Sequence, residues 1–420
     1  MYFLFFLVSS LLALDNKDNT INSISINGNE KTKEYIIRRE IWHNLNNSKL
    51  DSTILQNDLN RLYNLGIFSN VEIFVEDSIY IINVVEAFNV YPIPLIEYNE
   101  TKNELSYGPA IAHSNFLGKN QKFFLGSFIR GDTGYILGYY NPWIYGNKIN
   151  LGFLALDLNP QNIFYDYNYN FLLNKLSSGF TLNEIIRYNY EIGYMQIDIP
   201  QLSSDHLFFS DINSKELKFY YIYLKLNFQY DERDIYIDPT NGSLIDVSLE
   251  HYYDINAINN IWSLSLNYKK FFSIDMYTDP VFSYRFKSIT KFPDFDKLPL
   301  LSYEYLGGEG NVRGYSSLPD KIPNKINTLI ESSNLYVVSL EFQNTLIKRR
   351  NFGKIEFGLD ALAFFDIGTS SKIFDKIDFQ SNIVGYGIGV KFFASSVAPI
   401  TISIGFNPYG QRFLHLMDSQ

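Results

Sequence analysis

The chain has 420 residues, 46% of them hydrophobic and 17% aromatic, with 33 Tyr, 35 Phe and no Cys. A formal charge of -10 provides no basic stripe for phosphates, which excludes nucleic acid as a partner. The missing cysteines exclude disulfide frameworks, thiol catalysis and cysteine-based zinc sites, and suit an oxidising envelope compartment. Mean hydropathy is -0.11, and beyond the N-terminus no run of about 18 apolar residues occurs, so membrane helices are excluded. A transmembrane β-barrel, facing lipid on one side of each strand and water on the other, has this composition; so does a soluble β-sandwich.

Tyr2 to Leu14 is an apolar run ending at Asp15, too short for a spanning helix and the length of a signal-peptide core. Residues 1–14 are read as a signal peptide, although no Lys or Arg follows Met1 and no clean small-x-small cleavage site is visible. Residues 20–88 read as a compact α/β unit of order β-α-α-β-β. Ile21, Ile24 and Ile26 precede the turn Asn27-Gly28-Asn29. Thr32 is placed to cap a helix over Lys33 to Trp42, whose Ile36, Ile37 and Ile41 share one side. Asp51 opens a second helix with Ile54, Leu55, Leu59, Leu62 and Leu65 at three- and four-residue steps, and Gly66 stops it. Strands over Val71 to Val75 and Ile79 to Val85 follow, joined by Glu76-Asp77-Ser78.

From Tyr91 to the end the period becomes two. Ile222, Leu224, Leu226, Phe228 and Tyr230 alternate with Tyr223, Lys225, Asn227 and Gln229; Trp262, Leu264, Leu266 and Tyr268 alternate with Ser263, Ser265, Asn267 and Lys269. Asn141-Pro142, Gly146-Asn147, Asn241-Gly242 and Phe352-Gly353 are turn signals between such runs. Residues 91–420, at roughly 20 per strand with its connection, allow about 16 antiparallel strands, an even number as bacterial barrels require. The predicted fold class is an α+β domain followed by an all-β transmembrane barrel.

Within this half, Gly307-Gly308-Glu309-Gly310-Asn311-Val312-Arg313-Gly314-Tyr315 places one arginine among glycines. Glycine permits φ > 0 and close backbone approach, so the segment predicts a tightly turned loop that folds inward onto a partner, with Arg313 as its anchor. The spacing Gly308-x-Gly310-x-x-x-Gly314 lacks the strand-then-helix setting of a dinucleotide fingerprint.

The motifs, in their order, resemble the BamA/TamA outer-membrane assembly superfamily: a β-barrel preceded by POTRA domains. Gly308, Gly310, Val312, Arg313, Gly314 and Tyr315 match its Val-Arg-Gly-Tyr/Phe loop, and Asp231, Arg233, Asp234, Pro239 and Gly242 match its Asp-x-Arg-Asp…Pro-x-x-Gly hairpin. Asn115-Phe116-Leu117-Gly118 and Asn141-Pro142-Trp143-Ile144-Tyr145-Gly146 look like its early strands and turns. Phe364-Phe365-Asp366-Ile367-Gly368 and Gly385-Tyr386-Gly387-Ile388-Gly389-Val390 look like its late ones, with Pro399-Ile400 before the last strand. Residues 20–88 resemble a single POTRA domain, and in that family the edge strand, here Asn70, Val71, Glu72, Ile73, Phe74 and Val75, captures clients by β-augmentation. A spacer that contacts no client is the plainer alternative.

Side-chain parity gives Arg313 its partners. Glu341 shares a face with Ser339 and Gln343, and Asp366 with Asp360 and Glu356, so both carboxylates point into the lumen. A guanidinium in a partly dry barrel is costly unpaired, and carboxylates receive its fork in bidentate fashion. The resemblance implies the same Arg313–Asp366/Glu341 lock; ordinary lumen charges with separate partners are the alternative. No catalytic, cofactor or metal site is expected. The five histidines are scattered, no Gly-x-Ser-x-Gly elbow occurs, and Asp294 and Asp296 lack further oxygen ligands at regular spacing.

The expected function is therefore non-enzymatic: an outer-membrane assembly or insertion factor whose POTRA-like domain gathers clients in the periplasm. The resemblance implies a weak seam between first and last strands. The expected partners are the outer-membrane bilayer, unfolded outer-membrane or secreted polypeptides and accessory envelope proteins. The alternatives are a two-partner-type secretion translocator and a lipid-hydrolysing barrel.

Overall fold

The computed structural model describes residues 20–43, 48–99, 104–131, 133–146, 148–162, 167–199, 217–256, 260–276, 278–295, 298, 302–308, 310–315, 331–374, 376, 382–394 and 399–418. The segment 1–14, read as a signal peptide, lies outside the described residues. The N-terminal unit comprises β1 (Ser23–Asn27), α1 (Glu34–Arg38), α2 (Ser52–Asn64), β2 (Phe68–Glu76) and β3 (Ile79–Glu86). β3 is central in its sheet, parallel to β1 and antiparallel to β2. Ile36 and Ile37 of α1, Leu62 of α2 and Val71, Tyr80 and Ile82 of the sheet form one buried core. Asp58 of α2, fully buried, ties the segment after α1 and the sheet to α2, accepting from Trp42 N at 2.9 Å, His43 N at 3.2 Å and Tyr80 Oη at 3.0 Å.

The Asp51 carboxylate caps α2 by accepting from Thr53 N and Ile54 N. The first helix corrects its expectation: α1 is shorter, and Thr32 does not cap it. Thr32 Oγ1 instead accepts from Asn115 Nδ2 at 2.9 Å, and Thr32 N donates to Glu86 Oε1 at 2.6 Å. A side chain engaged by the following domain is not available to a helix end.

Sixteen antiparallel strands follow: β4 (Val90–Asn99), β5 (Glu104–Phe116), β6 (Gln121–Phe128), β7 (Gly134–Tyr145), β8 (Ile149–Leu158), β9 (Asn170–Leu182), β10 (Ile186–Ile199), β11 (Leu217–Asp231), β12 (Gly242–Asp254), β13 (Ile261–Ser273), β14 (Val281–Phe292), β15 (Asn334–Phe352), β16 (Ile355–Ser371), β17 (Ile383–Ala394), β18 (Ile400–Phe406) and β19 (Arg412–Asp418). Each pairs with its chain neighbours, and among the described residues no ladder joins β4 to β19. The strand opening at Ile400 is the last but one, since Arg412–Asp418 adds another. Asn141-Pro142 is no turn: both residues lie inside β7, at an irregularity where Tyr145 pairs with Ile149 but Asn141 with Leu151. A bulge tolerates proline because it needs no ladder donor there.

Alternation sorts the side chains as the sequence predicts. Leu224, Leu226, Trp262 and Leu264 are exposed on the outer face, while Lys225 pairs with Glu250 and Lys175 with Glu191 at 2.8 Å inside. The N-terminal domain seats on one mouth. Lys33 N donates to Gly118 O at 2.9 Å, Lys148 Nζ meets Glu40 at 2.9 Å, and Ser69 Oγ donates to Gly353 O at 3.2 Å. The connection from β14 to β15, which carries Arg313, springs from the opposite mouth.

Candidate functional site

Two inward-folding segments meet the lumen from its two ends. From the far mouth, the loop at 306–315 enters with Leu306, Val312 and Tyr315 buried against Leu335, Val337 and Ile383 of the wall. That apolar footing carries Arg313 down to β15 and β16. Arg313 Nε and Nη2 donate to the two oxygens of Asp366 at 2.8 and 2.9 Å, its backbone N to Asp366 at 3.0 Å, and Nη1 to Glu341 at 2.9 Å. Asp366 is fully buried. The guanidinium carbon lies 3.6 Å from the ring centroid of Phe364, which faces Glu341 in register and so shares its side of the wall. Burial works against the charged guanidinium, but the hydrogen bonds and charge of Asp366, then of Glu341, outweigh it and raise the Arg313 pKa.

The loop backbone is held by residues the sequence reading did not single out. Gly314 N donates to His415 Nε2 of β19 at 3.0 Å, and Asn407 Nδ2, just past β18, donates to Gly314 O at 2.9 Å, so the last hairpin holds the loop tip. Gly314 has φ +96°, and a Cβ there would lie 2.4 Å from Phe406 O. On the wall, a Cβ at Gly385 would lie 1.6 Å from Arg313 O. Of the alternate glycines Gly385, Gly387 and Gly389, Gly385 admits the loop, while Gly387 and Gly389 lie against β18. Gly308 and Gly310 turn the loop upstream of Arg313, where Asn311 Nδ2 donates to Tyr305 O at 3.0 Å.

From the near mouth enters the segment between β11 and β12. Arg233 grips Asp231 through Nε and Nη2 at 2.8 and 2.9 Å. Asp234 accepts from Ile235 N, Thr240 N and Asn241 N, closing the loop upon itself. Pro239 lines the lumen cavity, and Gly242 begins β12 with φ +106°. The residue that ties this loop to the far wall is Asp238, which lay unremarked between the two halves of the motif. It accepts from Arg349 Nη2 at 2.5 Å, Lys391 Nζ at 3.1 Å and Gln343 Nε2 at 3.2 Å. Burial opposes its charge, but Lys391 and Arg349 prevail and hold its pKa below the ordinary carboxylate value.

Arg349 continues to the N-terminal domain: its Nη1 donates to Tyr63 Oη at 2.8 Å, and Tyr63 in turn donates to Glu356. Asn64 brackets the same loop, donating to Asp234 O at 3.1 Å and accepting from Tyr236 N at 2.9 Å. The other predicted residues belong to the N-terminal domain. Asn70, Val71, Glu72, Ile73, Phe74 and Val75 all lie on β2, the outer strand of the domain sheet, with Phe74 exposed.

A sixteen-stranded antiparallel barrel with one small α/β domain on its mouth and an inward-folded loop arginine defines a POTRA-barrel membrane protein. The chain belongs to the Omp85 superfamily: the Omp85 superfamily domain matches residues 115–412, and the POTRA family described as a surface antigen variable number repeat matches 19–87. Among solved structures it is similar to BamA from Haemophilus ducreyi lacking POTRA domains 1-3, with TM-score 0.57 and 16% identity over 94% of this chain and 83% of that one. It is also similar to CdiB from Escherichia coli, with TM-score 0.56 and 13% identity over 95% and 75% of the two chains. CdiB from Acinetobacter baumannii gives 0.51 and 14% over 94% and 72%. Curated protein sequences give no match.

Proposed function

We propose that this chain is a non-enzymatic assembly factor of the bacterial outer membrane, with its POTRA domain in the periplasm. The domain collects unfolded barrel precursors and the barrel promotes their entry into the bilayer. The observation that carries this reading is the pair of sheet ends: β4 and β19 each have a ladder on one side only among the described residues. In hydrocarbon each unpaired backbone group costs several kcal/mol, so an incoming strand that supplies partners is stabilised at that seam. Among the described residues β2 likewise has a ladder on one side only, a second edge outside the membrane where augmentation by main-chain hydrogen bonds tolerates many client sequences. Within this reading Arg313, Glu341 and Asp366 act as a lock that fixes the loop against the strands leading to the seam, where the loop tip also meets His415 of β19.

The test is reconstitution into liposomes and measurement of the folding rate of urea-unfolded outer-membrane proteins. Acceleration of several unrelated clients is expected, and an unchanged rate overturns the proposal. Depletion followed by an outer-membrane proteome separates the two transport roles. Loss of many barrels fits insertion, whereas loss of one secreted polypeptide assigns a translocator instead.

A further inference from the structure

Between the two loops the lumen encloses a cavity of about 1090 Å³. One wall of it, made by β13 and β14, carries cations facing cations. Lys269 and Arg285 are directly opposite in register, both line the cavity, and Lys269 is buried. Lys287 stands two residues beyond Arg285 on the same face of β14. Like charges directly opposite across a strand pair repel, and the low dielectric of a barrel interior strengthens that repulsion.

The hydrogen-bond partners of Arg285 and Lys287 are neutral. Arg285 Nε donates to Asn267 Oδ1 at 3.0 Å, and Lys287 Nζ donates to Asn311 Oδ1 at 3.1 Å and Gly310 O at 3.5 Å. No carboxylate among the described residues lies within 4.0 Å of either cation. The carboxylates on the next two strands, Glu341 and Asp366, are engaged by Arg313. A chain with a net charge of -10 thus keeps a cationic surface inside its lumen.

We propose that the Lys269–Arg285–Lys287 wall is a binding site for a phosphate-bearing anion. A planar guanidinium fork between two ammonium groups suits a multiply charged tetrahedral oxyanion, which offers three acceptor oxygens where a carboxylate offers two. The cavity has room for more than the phosphate itself, so the ligand is a free phosphate ester or the headgroup of an anionic lipid. Because Lys287 also holds Asn311 and Gly310, an anion bound there sits against the Arg313 loop. The site stands independently of the insertion reading.

The experiment uses the full chain in dodecyl maltoside, with pyrophosphate titrated calorimetrically at low salt. Saturable binding is expected, and Lys287→Gln or Arg285→Gln should each weaken it by about tenfold, the loss of one charge-assisted contact. Lys348→Gln, on an exposed side chain remote from the lumen, should leave it unchanged. Heat-shifted gel mobility identifies folded variants. Among the described residues Lys287 hydrogen-bonds two neutral loop oxygens, so its variant keeps the test alive should Arg285→Gln fail to fold.

Mixed micelles containing phosphatidic acid separate the sources: competition with pyrophosphate assigns a lipid headgroup, and its absence assigns a free phosphate ester. Absence of pyrophosphate binding, or equal binding by the Lys287→Gln protein, overturns the proposal. Binding of poly-glutamate without pyrophosphate overturns it in favour of an acidic peptide.

Discussion

Arg313 makes four hydrogen bonds to two carboxylates, and one of those carboxylates is wholly buried. Removing the cation leaves Asp366 uncompensated in the wall, so Arg313→Ala is expected to destabilise the barrel by about 3–5 kcal/mol, read from urea midpoints in detergent. Arg313→Lys keeps the charge but not the fork, and an intermediate midpoint is expected. If Arg313→Ala matches the wild type, the contacts do not hold the loop. Gly385 tests the same seat from the wall side. A methyl group there would lie 1.6 Å from Arg313 O, so Gly385→Ala displaces the loop and exposes Arg313 to trypsin. Unchanged resistance to cleavage would show that the loop seats without this approach.

The loop between β11 and β12 has its own charge-dependent anchorage. The Asp238 pKa is depressed below its ordinary 3.8, so its contribution to stability is fully present above that value and is lost as pH falls through the folded-state value. The urea midpoint of the wild type should therefore exceed that of Asp238→Asn at neutral pH, with the difference shrinking below pH 3.8. A difference that stays constant across that range would show that the charge of Asp238 is not what seats the loop. Tyr63 joins this element to the domain through Arg349 and Glu356. Tyr63→Phe should loosen the domain on its mouth, seen as weaker chemical cross-linking between α2 and the turn at Gly353, and full retention of that cross-link would assign the docking to the other contacts.

At the scale of the whole molecule, the outer face is the decisive surface. Leu226 is 53% exposed on β11, while its neighbour Asn227 hydrogen-bonds Asp246 inside at 2.9 Å. In a bilayer the two positions differ sharply. Leu226→Arg is expected to cost about 2–4 kcal/mol near the membrane midplane, measured by folding into liposomes, because no water reaches the charge there. A soluble barrel would accept the same arginine at little cost, so a neutral result would remove the membrane reading altogether.

The sequence by itself determined the alternating character of the second half and the facing of the runs that alternate cleanly, because a period of two needs only local chain geometry; Glu341 and Asp366 were placed in the lumen by parity and by the family resemblance. It also marked both ends of α2, where the Asp51 cap and Gly66 each act within one turn of their own terminus. Only the tertiary structure decided that Thr32 serves Asn115 rather than α1, that Pro142 sits inside β7, and that His415, Asn407 and Gly385 receive the Arg313 loop. The same holds for Asp238, whose cationic partners are more than a hundred residues downstream. Parity assigns a residue to a face of its own strand; closing sixteen strands around a shared interior decides which residues meet across it, and that depends on all the registers at once.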